Sequence, residues 1–578
     1  MSKANQNNYP GNTKATLESQ NIYREAAGLI LSVYILIMLV IFPLYFRDYY
    51  YDILEARFEF FWHGTIVMLA LMALTGLAFV ISDFTKASGR TVKAFLAGLK
   101  PSRLIKTLSG FDIAFTILML IYLVSMALSG YPYETWWGNQ GRYQGVFIWL
   151  LFYADYILIS RLYQFRAWHI KAFEITGSLI CAWGMTDYFK MNLMHFFDDV
   201  PNKEINMIRF TSSIGNINSY TAMTAIILAI ATVLFITERG RIATAINVIT
   251  MILGNFGCIM GLSDNAMLAY AALFGFIPFV FWRRRDWIQR YAVAAATALT
   301  AMKISGYLMI SDIPTTADDA YYSSAMLKIG SLSITTLIVI LVWIALAIVL
   351  FREYRRNHGA DGGTQAKSIE AAADRSANAA EHKGYRIARR IWAGILILGV
   401  ISVIAAFIDC NSGRNPEFWT PYKNIFYFDD DWGTGRGLNW KLAMQFFLTK
   451  ADLRMKLFGY GPDTYYMITM DNFFQKMADS YYGMFDSAHN EYLQYLLTIG
   501  ITGLAAYIAY LVTCIRTLLH KRVQFSGADA YAYAAGFMVI AYAAQALINI
   551  AVPLVTPVFM LLTFIGLNIC RQNGAKES

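Results

Sequence analysis

Charge is what this chain has least of. Only 15% of its 578 residues are charged while 57% are hydrophobic, and the mean hydropathy is +0.42. Soluble domains carry about 25% charged and about 45–50% apolar residues, so a water-soluble fold of this size is excluded and the bilayer is the natural solvent. Cysteine is also sparse: of Cys181, Cys258, Cys410, Cys514 and Cys570, only Cys410 is expected on the oxidising side. That leaves no disulfide partner and no metal quartet. No glycine-rich loop has the P-loop spacing, so ATP is not implied. The acidic run Asp429-Asp430-Asp431 lacks regular ligand spacing and reads as a solvated turn, so no metal site is assigned. The net charge of +9 does not point to nucleic acid, because no basic stripe interleaved with base-stacking aromatics accompanies it.

What the chain does have is long apolar runs, each able to cross the hydrocarbon core as a helix. They fall at 26–46, 62–82, 112–130, 143–163, 170–188, 218–237, 242–261, 265–282, 288–310, 332–351, 391–408, 492–515, 529–549 and 552–570. The tightly spaced pair around Asp264 also fits a re-entrant segment. The fold class expected is an all-α polytopic membrane protein with about 14 transmembrane helices and one large folded extracytoplasmic loop. The N-terminal segment is too long and too polar for a cleaved signal peptide, so the first helix is expected to stay as an anchor.

Basic residues in short loops set the orientation, with both termini inside. Lys86, Arg90, Lys93, Lys100, Arg103 and Lys106 fall in one inner loop, and Arg161, Arg166 and Lys171 in the next. Arg239 and Arg241, then Arg283, Arg284, Arg285 and Arg290, then Arg516, Lys521 and Arg522 continue the alternation. The opposite loops are poor in basic residues or acidic, as at Asp312, Asp318 and Asp319. The chain divides into an N-terminal bundle of about ten helices (1–351), a cytoplasmic linker (352–390), one helix (391–408), an outer loop (409–491) and C-terminal helices (492–578).

The residues able to do chemistry gather on the outer side. His489, at a helix entrance, could take a proton from a hydroxyl or pair with phosphate; an ordinary interfacial histidine is the plainer reading. Arg436 lies between Gly435 and Gly437, and a guanidinium grips phosphate through two bonds and keeps its charge at any pH. Arg142 lies near Gly141 and Gly145, after the pair Trp136-Trp137, and Arg209 precedes Gly215-Asn216-Ile217-Asn218, whose amides suit sugar hydroxyls. Within the spans, Asp155 is expected to bond a Tyr or Ser of another helix. Lys303 either snorkels or reaches towards the outer site.

His489-Asn490 followed by Gly500-x-x-Gly503 resembles the signature of the O-antigen ligase family, which includes O-antigen polymerases and related oligosaccharyltransferases. Arg436 with Trp440, then Gly459-x-Gly461, add to the resemblance, as do the segments around Arg142 and Gly215-Asn216-x-Asn218. One large extracytoplasmic loop between late helices is also the family's architecture, although its ligases usually have fewer spans and lack the 352–390 segment. The resemblance implies transfer of a glycan from undecaprenyl diphosphate to an acceptor hydroxyl of a glycan, lipid or protein, at the outer face of the bacterial cytoplasmic membrane and without a cofactor. It implies His489 and Arg436 as catalytic residues. Arg142, Arg209, Asn216, Asn218, Trp440, Gly459, Gly461 and Asn490 are then expected to bind substrate. A polysaccharide flippase or other secondary transporter is the alternative; it should carry its charges near the midplane, where this chain has few.

Overall fold

A computed structural model describes residues 14–317, 324–358, 367–520, 525 and 527–577. Asp318, Asp319, Lys521 and Arg522, used above to orient the chain, lie outside the described residues. Each of the fourteen apolar runs is mainly helical. Among the described residues, nine helices are long and apolar enough to cross a membrane. Val146–Leu162 and Asn265–Phe281 are shorter, at 17 residues each. The Asn265–Phe281 helix follows Arg241–Met260 after a four-residue turn containing Asp264.

Ile217–Thr237 is the axis of the bundle, with its apolar stretch wholly buried. Arg241–Met260 and Gly527–Gln545 pack closely against it. Ser333–Arg352 and Lys383–Asn411 lie at the periphery, and the apolar stretch of the second has no buried residue at all. A helix apolar on every side and unburied by protein needs lipid around it. The protein is accordingly a multi-pass membrane protein.

Side-chain contacts gather the predicted loops at two opposite ends. At one, Asp112 caps its own helix with Ser109 and receives Arg161 (2.7 Å) and Arg571 (2.8 Å). Lys171 pairs with Glu174 (2.8 Å) and Glu238 (2.7 Å). These are helix ends bordering the basic loops. Between the ends, Asp155 accepts from Tyr34 Oη at 2.8 Å, and Tyr34 also meets Thr65, as expected of an intramembrane carboxyl. Lys303 donates to the Ser331 and Leu332 carbonyls at 3.5 and 3.3 Å. It therefore closes the end of a short helix, Ala325–Ser331, and takes no part in the arginine cluster described below. Arg57 was not singled out in the sequence. It is fully buried and donates to the backbone carbonyls of Pro43, Tyr45 and Ser213.

Within 352–390 the described residues are helical: Ser333–His358 runs into the segment, and Lys367–Asn411 is one helix of 45 residues, in keeping with its Ala, Glu, Lys and Arg content. One boundary differs from expectation. The run at 492–515 is broken into Glu491–Thr498 and Gly500–Leu518. Gly500 sits at φ +74°, and the Leu457 carbonyl occupies the space a Cβ there would need. Thr502 Oγ1 donates to that same carbonyl at 2.6 Å.

Residues 412–490 fold as short helices around a core of their own. Leu442, Phe446, Tyr465, Ile468, Phe473, Met477 and Phe485 form it, joined by Leu497 of the following helix.

Candidate active site

The segment carrying His489 is fixed from both sides. Asn439 Nδ2 donates to the Ser487 carbonyl and Trp440 Nε1 to the Ala488 carbonyl, each at 2.8 Å. Gln494 Oε1 accepts from Ala488 N–H at 2.9 Å. Tyr465 Oη in turn holds the Asn439 amide oxygen at 2.5 Å. Immediately after, Asn490 caps the Glu491–Thr498 helix by accepting from Leu493 N–H. His489, between the two anchors, is driven to φ +48°. Non-glycine residues held there cost about 1–3 kcal/mol and recur at functional sites.

His489 Nδ1 is buried with no hydrogen-bond partner among the described residues. Burial, then the positive charges of Arg436 and Arg142, push the imidazole well below its ordinary range, while Asp486 opposes them. At neutral pH the ring is uncharged. Arg436 follows three successive left-handed residues, Gly433, Thr434 and Gly435. Its Nε is likewise buried without a partner, and Nη1 reaches only the Gly433 carbonyl at 3.4 Å. Its flanking glycines make room for protein: a Cβ at Gly435 would strike the Tyr482 ring, and one at Gly437 the Asp429 carbonyl.

Arg142 is engaged. Its Nε donates to Asp486 Oδ2 at 3.1 Å, and its Nη2 to Oδ1 at 2.9 Å and Oδ2 at 2.8 Å. Its loop is fastened by Asp463, which accepts the N–H groups of Asn139 (2.9 Å) and Gln144 (3.0 Å). Burial pushes the Asp463 carboxyl up to about 7 against the pull of those donors. A cavity of about 20 Å³, room for one water, lies between Arg142, Gln144, Asp463, Ser487, Glu491 and Gln494. Glu491 on its far wall is buried and accepts from Tyr507 (2.7 Å), Tyr542 (3.2 Å) and Tyr495 (3.3 Å). Asp463, Asp486, Glu491 and Gln494 were given no role in the sequence.

The other expected residues fall in two groups. Asn218 meets Ser263 Oγ through its side chain (2.6 Å), and its carbonyl accepts from Asn265 and Asn549. Asn549 also bonds Gln545, and Glu491 N–H donates to the adjoining Ala546 carbonyl. This polar chain links Asn218 to the His489 segment. Asn216 caps the Ile217–Thr237 helix. Arg209, by contrast, is exposed at the end of Lys203–Arg209, before the Phe210–Thr211 and Gly215–Asn216 strands. Among the described residues no hydrogen bond or ion pair joins it to Arg142, Arg436 or His489.

Gly459 and Gly461 approach backbone. Tyr460 N–H and Gly461 N–H donate to the Leu497 and Thr498 carbonyls at 3.0 and 2.9 Å. Gly459 is at φ +81°, and a Cβ there would collide with the Thr498 carbonyl. A Gly459→Ala variant is expected to lose about 2 kcal/mol or more, from strained backbone and steric overlap together. Thermal unfolding in detergent would read this as a lowered midpoint, and an unchanged midpoint would contradict it.

Residues 322–508 match the family model of the O-antigen ligases (Wzy_C: O-Antigen ligase), about a third of the chain. No curated protein matches the chain. The matched segment contains Arg436, Trp440, the Gly459–Gly461 turn, Asp486, His489 and the broken helix with Gly500 and Gly503. Over residues 322–508 the chain is thus similar to the O-antigen ligases.

Proposed function

We propose that the protein transfers a glycan from an undecaprenyl-diphosphate donor to an acceptor hydroxyl at the outer face of the bacterial cytoplasmic membrane. It acts there as a surface polysaccharide polymerase or ligase. One observation carries the reading: an uncharged histidine and an unpartnered arginine, each with a buried free nitrogen, share a site with Arg142, and the histidine and that arginine both lie within the O-antigen ligase match.

The acceptor oxygen attacks the anomeric carbon, its proton passes to His489, and the glycosyl–oxygen bond breaks with its electron pair leaving on the lipid diphosphate. Negative charge therefore grows on the diphosphate as the bond breaks. Arg436 and Arg142 stabilise that charge where it develops, which is where binding accelerates the step. The neutral state of His489 suits it to accept a proton. Trp440 and the Asn216–Asn218 amides offer a stacking face and hydrogen bonds to sugar. The grouping of basic loops at the opposite end of the bundle supports the outer placement of the site.

The test supplies the purified protein with a synthetic undecaprenyl-diphosphate oligosaccharide, alone and then with a second acceptor. A ladder of longer lipid-linked glycans identifies a polymerase, and reaction only with the second acceptor identifies a ligase. Absence of transfer with every acceptor, alongside movement of the lipid across a vesicle bilayer, would replace this reading with transport.

A further inference from the structure

We infer that Asp486 is a placeholder for the donor's diphosphate on Arg142 and that, once displaced, it becomes the positioning partner of His489. The inference rests on the transfer reading above.

Arg142 presents its fork to a carboxylate in the way it would present it to a phosphate, through three hydrogen bonds from two nitrogens. Bidentate Arg–carboxylate and Arg–phosphate geometries are interchangeable, and an anion of higher charge competes well for the fork. The two partners are not equally held. The Arg142 side chain is 18% exposed and that of Asp486 is 42% exposed. Besides Arg142, the carboxylate has only the Ser487 hydroxyl among the described residues, at 3.2 Å. Arg142 sits in a loop locked by Asp463, whereas Asp486 lies in the irregular turn before the His489 segment. The carboxylate is the member that can leave.

Its destination is three residues along the chain. His489 Nδ1 is a buried polar atom with no partner, a condition that costs about 1–3 kcal/mol and calls for an explanation. The charge of Asp486 already acts on the ring. When diphosphate takes the Arg142 fork, a side-chain rotation lets Asp486 accept the Nδ1–H. That fixes the tautomer with the Nε2 lone pair free for the acceptor hydroxyl, and it stabilises the imidazolium formed as the proton arrives. The proton moves from acceptor oxygen to Nε2 as the new glycosidic bond forms and the diphosphate departs with its electron pair. The base is thus completed by the donor itself, and only in the donor-bound site.

Undecaprenyl diphosphate binding to the full-length protein in nanodiscs, and the pH dependence of transfer, test the inference together. Asp486→Asn should bind undecaprenyl diphosphate several-fold more tightly, since no carboxylate competes, and the gain should vanish when Arg142→Ala is added. The same variant should lose roughly 10²-fold in kcat, with the acid limb of kcat moved to lower pH because a charge that favours the imidazolium is gone. Asp486→Glu should restore part of kcat. Weaker lipid binding in Asp486→Asn, or an unchanged acid limb, would overturn the inference and reduce Asp486 to a prop for Arg142. If the wild type transfers to no acceptor the reaction fails, but the binding comparison still decides whether Asp486 occupies the diphosphate's place.

Discussion

His489→Ala is expected to abolish measurable transfer, a loss of at least about 10²–10⁴-fold in kcat for removing a positioned general base, while the protein still inserts and folds. The fold should survive because the segment is held by its backbone: the Ser487 and Ala488 carbonyls are bound by Asn439 and Trp440, and Asn490 caps the next helix. None of these uses the imidazole. Alanine at φ +48° costs about 1–2 kcal/mol, tolerable in a site braced so heavily. The pH profile sharpens the expectation. Burial, Arg436 and Arg142 lower the protonation point of His489 beneath the ordinary value of about 6.5. The neutral base is therefore retained at neutral pH and lost as pH falls through that lowered value. Transfer should hold steady from pH 8 to below 6.5 and decline only in more acid solution. Product formed per folded protein, compared between wild type and His489→Ala across that range, checks both parts. Wild-type output from the variant would remove His489 from the reaction. Activity that rises on acidification would instead make the imidazolium the working form.

Much of this architecture is visible in the sequence because lipid imposes simple constraints on it. A run near twenty apolar residues in a bilayer favours a helix, and the fourteen runs are mainly helical. The ends of distant helices also meet, as Asp112, Arg161 and Arg571 do across more than 400 residues of chain. His489, Arg436 and Arg142 stand out through the motifs that carry them, His489-Asn490 before Gly500 and arginines set among glycines. The contacts that organise them do not stand out. Asp463 and Asp486 are ordinary loop carboxylates until the fold brings them to residues 319 to 344 positions away. Glycine is a second lesson. Gly459, Gly461 and Gly500 announce close approach in the sequence, but not what approaches: backbone at Gly459 and Gly500, and the Ser129 and Thr135 side chains at Gly461. Nor can a hydropathy pattern register the break at Gly500, since glycine there lies within an unbroken apolar run and the carbonyl that bends it comes from Leu457.

Arg436→Lys, conservative in charge, should reduce kcat/KM by roughly 10²–10³-fold, the range seen when one donor to a developing anion is lost. Two physical losses combine. An ammonium cannot reproduce the planar fork, so two hydrogen bonds to diphosphate oxygens become at most one of similar geometry. The second loss comes from burial. Desolvation already lowers the Arg436 guanidinium below its usual range, with Asp264 pulling the other way, yet a group that starts above 12 stays charged. A lysine starts about two units lower and shifts readily when buried. Its charge is therefore lost as pH rises through the depressed value. The defect should consequently widen with pH: kcat/KM of the variant relative to wild type should be lower at pH 9 than at pH 6.5. A deficit constant over that interval would assign the whole effect to geometry. Near-normal turnover at both values would show that Arg436, despite its unpartnered Nε beside the histidine, does not hold the diphosphate as it departs.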